Sequence, residues 1–172
     1  MTRLTMKVNG KEVGPHDVPD DLPMVDYLND ILGLTGTKFS CGIAICHACV
    51  VMVENPDGTV TTRRTCIAGA TSFAGTSVTT VEGHAVDGAL SAVQQAYVEH
   101  FAFQCGYCTP GFVNAGAALV EQLRRNPVAE SQVEQAVHDG LGDHICRCSG
   151  YIRYYEAMRD LILADTSLTK QG

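Results

Sequence analysis

Leu4, Met6 and Val8 alternate with Thr5 and Lys7, and the alternation breaks at Asn9-Gly10 before a second short run through Val13. A period of two interrupted by Asn-Gly predicts a β-hairpin. From Val25 to Leu32 the period lengthens, so that Leu28, Ile31 and Leu32 share one helical face ending at Gly33. Val50 to Val53 is a continuous apolar strand, turned by Pro56-Asp57-Gly58 and followed by a return over Val60 to Arg64; Val78 to Val81 supplies a last strand. Residues 1–81 thus read as a small mixed sheet with one helix. Residues 82–88 carry two glycines and no apolar periodicity, which places a domain linker there.

Beyond the linker, in residues 89–172, the pattern is helical. Leu90, Val93, Tyr97 and Phe101 predict a first helix. Thr109-Pro110, as cap and first-turn proline, opens a second through Leu119, Val120 and Leu123, in which Ala115-Gly116-Ala117-Ala118 permits close helix packing. Ser131-x-x-Glu134 reads as a capping box for a third, carrying Val133, Val137 and Leu141, and Ile152, Tyr155, Met158, Leu161 and Ile162 mark a fourth. Four antiparallel helices with short links put the connection between the first two at the same end as that between the last two.

Composition narrows the function. The chain has 172 residues, 45% of them hydrophobic, which is enough for a substantial core. With 19 acidic against 12 basic residues and a net charge of −7, a footprint for nucleic acid is not expected. No apolar run is long enough to span a bilayer, and the start lacks a signal-peptide stretch, so the expected location is the cytoplasm.

Eight cysteines then dominate the picture, in two sets of four: Cys41, Cys46, Cys49 and Cys66, then Cys105, Cys108, Cys146 and Cys148. Disulfides suit small secreted scaffolds better than a chain of this length without an export signal. The first set reads C-x4-C-x2-C with a fourth cysteine after 16 residues, the plant-type [2Fe-2S] spacing. Gly42, Ala44 and Ala48 are small enough for a loop that must approach a cluster closely. The second set, C-x2-C and C-x-C separated by 37 residues, suits one centre held at the end of the bundle where the two helix connections meet. A structural zinc tetrathiolate competes for that second set. A dithiol reading of Cys105-Gly-Tyr-Cys108 lacks the preceding strand it would need.

Further motifs lie in the same order: Gly33-Leu-Thr-Gly-Thr-Lys-Phe-Ser-Cys41, Cys46-His-Ala-Cys49, Val81-Glu-Gly83, Phe103-Gln-Cys-Gly-Tyr-Cys-Thr-Pro-Gly111 and Ile145-Cys-Arg-Cys-Ser-Gly-Tyr151. Through these the chain resembles, over nearly its whole length, the small iron–sulfur subunit of the molybdenum hydroxylases, the xanthine oxidase family. The resemblance implies an α+β architecture: an N-terminal β-grasp, plant-type ferredoxin domain and a C-terminal four-helix-bundle domain, each holding one [2Fe-2S] cluster. It also implies an electron-transfer subunit of a molybdenum-dependent oxidoreductase, without substrate chemistry of its own. The molybdopterin cofactor would sit on a large partner subunit, with an FAD-binding or cytochrome c subunit as acceptor and an aldehyde or N-heteroaromatic compound as substrate. By the same resemblance Gln104 and Cys148 would lie closest to the pterin, and export already folded with a signal-bearing partner would place the chain in the periplasm. The family often has glycine where this chain has Ala44 and His47, so a positive φ at either would strain the loop. His47 is expected to face a partner or solvent, Arg147 to add positive charge beside the second cluster or to form a plain salt bridge, and the other histidines to be ordinary.

Overall fold

A computed structural model describes residues 1–170. The first half is built on β1 (Thr2–Val8), β2 (Lys11–Val18), β3 (Val50–Glu54), β4 (Val60–Arg64) and β5 (Ser77–Thr79), which form one sheet in the order β2-β1-β5-β3-β4. The hairpin β1–β2 turns at Asn9 and Gly10, with φ of 50° and 77°, the left-handed pair that lets a two-residue turn follow the strand twist. β1 and β5 run parallel, and the other pairings are antiparallel. Leu4, Met6 and Val8 point inward on alternate residues, meeting Val51, Val53, Phe73 and Val78 and the buried Tyr27 and Leu28. Those last two lie on the π-helical turn Tyr27–Ile31 that continues α1 (Met24–Asp26) before Gly33 at φ 69° ends it.

The second half holds α2 (Ala92–Glu99), α3 (Thr109–Arg125), α4 (Val133–Leu141) and α5 (Ile152–Ala164), with a short parallel pair, β6 (Val128–Ala129) and β7 (Thr169–Lys170). Among the described residues no helix is long and apolar enough to cross a membrane. Phe112 stacks on Tyr154 at 3.9 Å, Tyr97 meets Tyr154 edge-on at 4.9 Å, and Gly116 leaves room for Met158, Val93 and the Tyr97 hydroxyl.

Several helix ends differ from the sequence reading. α2 starts at a capping box of Ser91 and Gln94, leaving Leu90 and Phe101 exposed beyond its ends. Cys108, not Thr109, caps α3, and the Thr109 hydroxyl instead pairs with the Tyr154 hydroxyl at 2.7 Å. Ser131 caps nothing; it lies in a 3-10 turn, Glu130–Gln132, that runs into α4. On α5 the buried stripe is Tyr154, Ala157, Met158 and Ile162, while Ile152 is exposed.

α3 lies across β3 and β4, which explains why Val50, Val51 and Val53 are all buried: the strand is covered on both faces. The buried Asn114 of α3 gives its Nδ2 to the Val50 carbonyl at 2.8 Å, so its Oδ1 accepts from His84 Nε2 at 2.8 Å. Gln122 Nε2 donates to the Val60 carbonyl at 3.0 Å. The segment read as a linker is thus pinned at His84, and burial holds the His84 imidazole below its ordinary pKa of 6.5, partly opposed by the Asn114 bond.

The sign of that shift sets a pH dependence. Because the unfolded chain binds the proton more readily, stability present above about pH 6.5 is lost as pH falls through that value toward the folded pKa. His84→Gln keeps a donor for Asn114 and removes the titration. The thermal midpoint of the variant should fall less between about pH 7 and pH 5 than that of the unmutated chain, and parallel pH profiles would remove His84 from the account.

Candidate functional site

The first four cysteines are gathered by a loop without regular structure, from Gly33 to Cys49, and by the turn after β4. Ala44 and His47 have φ of 62° and 58°, the left-handed values the sequence made costly for non-glycine residues, at about 1–2 kcal/mol each. The loop conformation turns backbone N–H groups onto sulfur: the Cys46 amide donates to Cys41 Sγ at 3.5 Å. The Cys46 and Ile43 amides hold the Cys41 thiol down at about 6, against the small opposing effect of burial. Burial pushes the Cys66 thiol up, the Ala44 amide pulls it back, and the Cys49 thiol and Cys41 beside it add to the rise. Thr65 fixes this turn on the loop, its hydroxyl donating to the Cys49 carbonyl at 2.8 Å.

The second four stand on the connections α2–α3 and α4–α5, which the fold brings to one end of the helices. Cys148 and Cys105 sulfurs lie 3.3 Å apart, both residues exposed. Cys108 and Cys146 are buried behind them. Burial, then the Cys146 thiol, pushes Cys108 up to about 12, while the Tyr154 hydroxyl at 3.8 Å works the other way. Burial also raises Cys146, but the Ser149 hydroxyl at 3.0 Å and the Ser149 amide at 3.4 Å more than reverse it. Cys105 is held below its ordinary range by the Tyr107 amide and then by Cys148. Gln104 is exposed next to Cys105. Arg147 is exposed and forms no ion pair among the described residues, so the plain salt bridge is not there.

The two sites touch. Ile145 N–H donates to the Cys46 carbonyl at 3.2 Å, and the Tyr107 hydroxyl donates to the Phe39 carbonyl. His47 lies in this seam and not toward solvent: it is buried, accepts from Arg64 Nε at 2.8 Å, and meets His144 edge-on at 5.0 Å. The neighbours that bury it belong to α3 and the Cys146 loop, which local sequence cannot supply. His144 is equally buried, its ring tilted against Phe112 at 4.7 Å, with Nδ1 on the Leu141 carbonyl at 3.1 Å. Burial and then His47 push its imidazole down to about 4.

The donor set can be tested against candidate cofactors. Among the described residues no group of three or more His, Cys, Asp or Glu side chains is arranged to hold a single metal ion. The sulfurs come in twos instead, Cys41 with Cys46, Cys49 with Cys66, Cys105 with Cys148 and Cys108 with Cys146. Four thiols with amides aimed at the sulfurs fit the chemistry of a [2Fe-2S] core, which each set would hold through its four cysteines.

Comparison with known proteins agrees with this chemistry. Residues 80–159 match the family described as a [2Fe-2S] binding domain. The chain is 37% identical over 144 residues to the xanthine dehydrogenase iron-sulfur-binding subunit of Escherichia coli, covering 84% of each. It is 34% identical over 171 residues to aldehyde oxidase 2 of Rattus norvegicus, where it spans 96% of its own length and only 12% of the relative's. Its fold superposes on quinoline 2-oxidoreductase from Pseudomonas putida 86 with a TM-score of 0.81 at 28% identity, covering 96% of this chain and 95% of that one. The chain belongs to the small [2Fe-2S] iron–sulfur subunits of the xanthine oxidase, or molybdenum hydroxylase, family.

Proposed function

We propose that this chain is the electron-transfer subunit of a molybdenum-dependent oxidoreductase, holding one [2Fe-2S] cluster on Cys41, Cys46, Cys49 and Cys66 and a second on Cys105, Cys108, Cys146 and Cys148. The first site belongs to a β-grasp ferredoxin domain, residues 1–81, and the second to a four-helix-bundle domain, residues 89–172, joined through 82–88. A bound [2Fe-2S] cluster supplies one-electron exchange. The observation that carries this reading is the direct hydrogen bond from Ile145, beside Cys146, to the carbonyl of Cys46, which sets the two cysteine sites back to back.

Cys105, Cys148 and Gln104 are exposed together, which suits a face toward the large subunit bearing molybdopterin. The first loop exposes Ile43 and Ile45, and the turn after β4 exposes Ile67, apolar side chains suited to an FAD-binding or cytochrome c subunit. The names of the relatives, aldehyde oxidase and quinoline 2-oxidoreductase, support an aldehyde or an N-heteroaromatic substrate on the partner. The compartment, cytoplasm or periplasm, follows that of the partner.

Purified complex should contain about four irons and four acid-labile sulfides per copy of this chain and give two distinct reduced EPR signals. Zinc without labile sulfide would replace this reading by a zinc-stabilised interaction module. In the same complex Gln104→Ala should slow reduction by substrate while leaving reduction by dithionite nearly unchanged, because Gln104 is not a ligand. Unaltered substrate-driven rates in rapid mixing would remove Gln104 from the path.

A further inference from the structure

The chain leading into Cys41 has no regular structure, yet it is held at nearly every residue. Glu82 Oε1 accepts from the Gly36 amide at 2.7 Å, Asn29 Nδ2 donates to the Thr37 carbonyl at 3.1 Å, and Lys38 Nζ donates to the Thr35 carbonyl at 2.7 Å. The next tie, at Phe39, comes from elsewhere: the hydroxyl of Tyr107, which stands between Cys105 and Cys108. Gly106, at φ 79°, turns the backbone so that the Tyr107 amide faces the Cys105 sulfur while its ring crosses to Phe39. The Phe39 ring in turn covers Gly42, where an added Cβ would lie 3.1 Å from the ring. Gly42 opens the turn whose amides surround Cys41.

We propose that Tyr107 is a positioning residue shared by both cysteine sites, its amide setting Cys105 and its hydroxyl fixing the Phe39 carbonyl and through it the loop around Cys41. Across this seam Ile145 reaches the Cys46 carbonyl and Gly111 packs on His47 through backbone, and His47 meets His144 edge-on without a hydrogen bond. Tyr107 is the tie that one atom removes. Its consequence is directional: deleting the hydroxyl disturbs the first site although the residue lies inside the second site's motif, since the amide on Cys105 is untouched. Amide dipoles at the sulfurs tune a cluster's potential, so a loosened Phe39–Ile43 segment shifts the first centre.

The electrochemical readout rests on the two-cluster reading above, and the second readout does not. In Tyr107→Phe complex, the midpoint potential and reduced EPR signal of the first centre should shift while those of the second stay, with iron and sulfide content unchanged. In the full chain, hydrogen exchange over residues 39–43 should become roughly fivefold faster with β1 and β3 unaffected. Unchanged exchange together with an unmoved first centre overturns the proposal, as does a shift confined to the second centre. Faster exchange in a chain found to hold no cluster sustains the Tyr107 tie and overturns the cluster reading instead.

Discussion

Gly111→Ala is expected to lower stability by roughly 2–3 kcal/mol, the cost of forcing a methyl into a packed contact that cannot yield. Gly111 lies in the first turn of α3, where a Cβ would stand 2.3 Å from the His47 carbonyl oxygen, 3.2 Å from its carbon and 3.3 Å from the Ala48 Cα. All three atoms are backbone, and they belong to the loop carrying Cys46 and Cys49. Neither partner can move aside by a side-chain rotation. Helix propensity would favour alanine here, so any loss of stability comes from the contact. The strain should pry α3 from the sheet half, weakening the bonds of Asn114 and Gln122 to β3 and β4. A fall in thermal midpoint of about 5–10 °C is expected for a chain of this size. Gly69→Ala is the control: its Cβ would meet only ordinary contacts, the nearest at 3.6 Å, at a φ of −65°. Equal midpoints for the two variants would show that the seam is not packed as tightly as these distances require.

Gly111 also illustrates which parts of this molecule could be read from sequence. Its place in the motif that runs from Phe103 was plain, but its reason, an approach of two backbones, depends on residues 64 positions away. The hairpin at Asn9-Gly10 was legible because the turn's positive φ values are a local demand met by those two residue types. The continuous apolar run of β3 was legible as a strand, while the helix that buries its second face was not. Thr109 was misplaced as a cap because its hydroxyl has a better partner in Tyr154, 45 residues on. Ile152 was misplaced because α5 turns its aromatic Tyr154 onto Phe112, rotating the buried stripe away from the helix start. The division of the eight cysteines into two sets of four was legible from spacing, while for the second set spacing left a cluster and a zinc tetrathiolate both open. The seam between the two sets was not legible, and with it went His47 and His144, whose rings meet edge-on where the two halves come together.

The largest chemical effect is expected from removing one thiol of either set. Cys66 stands in the turn after β4 and is tied to the rest of its site by Thr65, whose amide and hydroxyl both reach the Cys49 carbonyl, at 3.3 and 2.8 Å. Neither bond crosses to the helical half. Cys66→Ser therefore subtracts one ligand and leaves the seam, with Ile145 on the Cys46 carbonyl, intact. A serine hydroxyl, unlike a thiol, is not deprotonated near neutral pH, so three thiolates would remain for the proposed four-thiolate cluster. The first centre should be lost: iron and labile sulfide should fall to about half, and one of the two reduced EPR signals should vanish while the other keeps its position. Cys148→Ser is the mirror experiment. Cys148 is exposed and its sulfur contacts Cys105, 3.3 Å away, so its loss should remove the other signal and spare the first. Together the pair assigns each signal to its half of the chain. If either single substitution extinguished both signals in chain that still folds, the two quartets could not be independent centres, and the back-to-back arrangement would have to serve a single shared one.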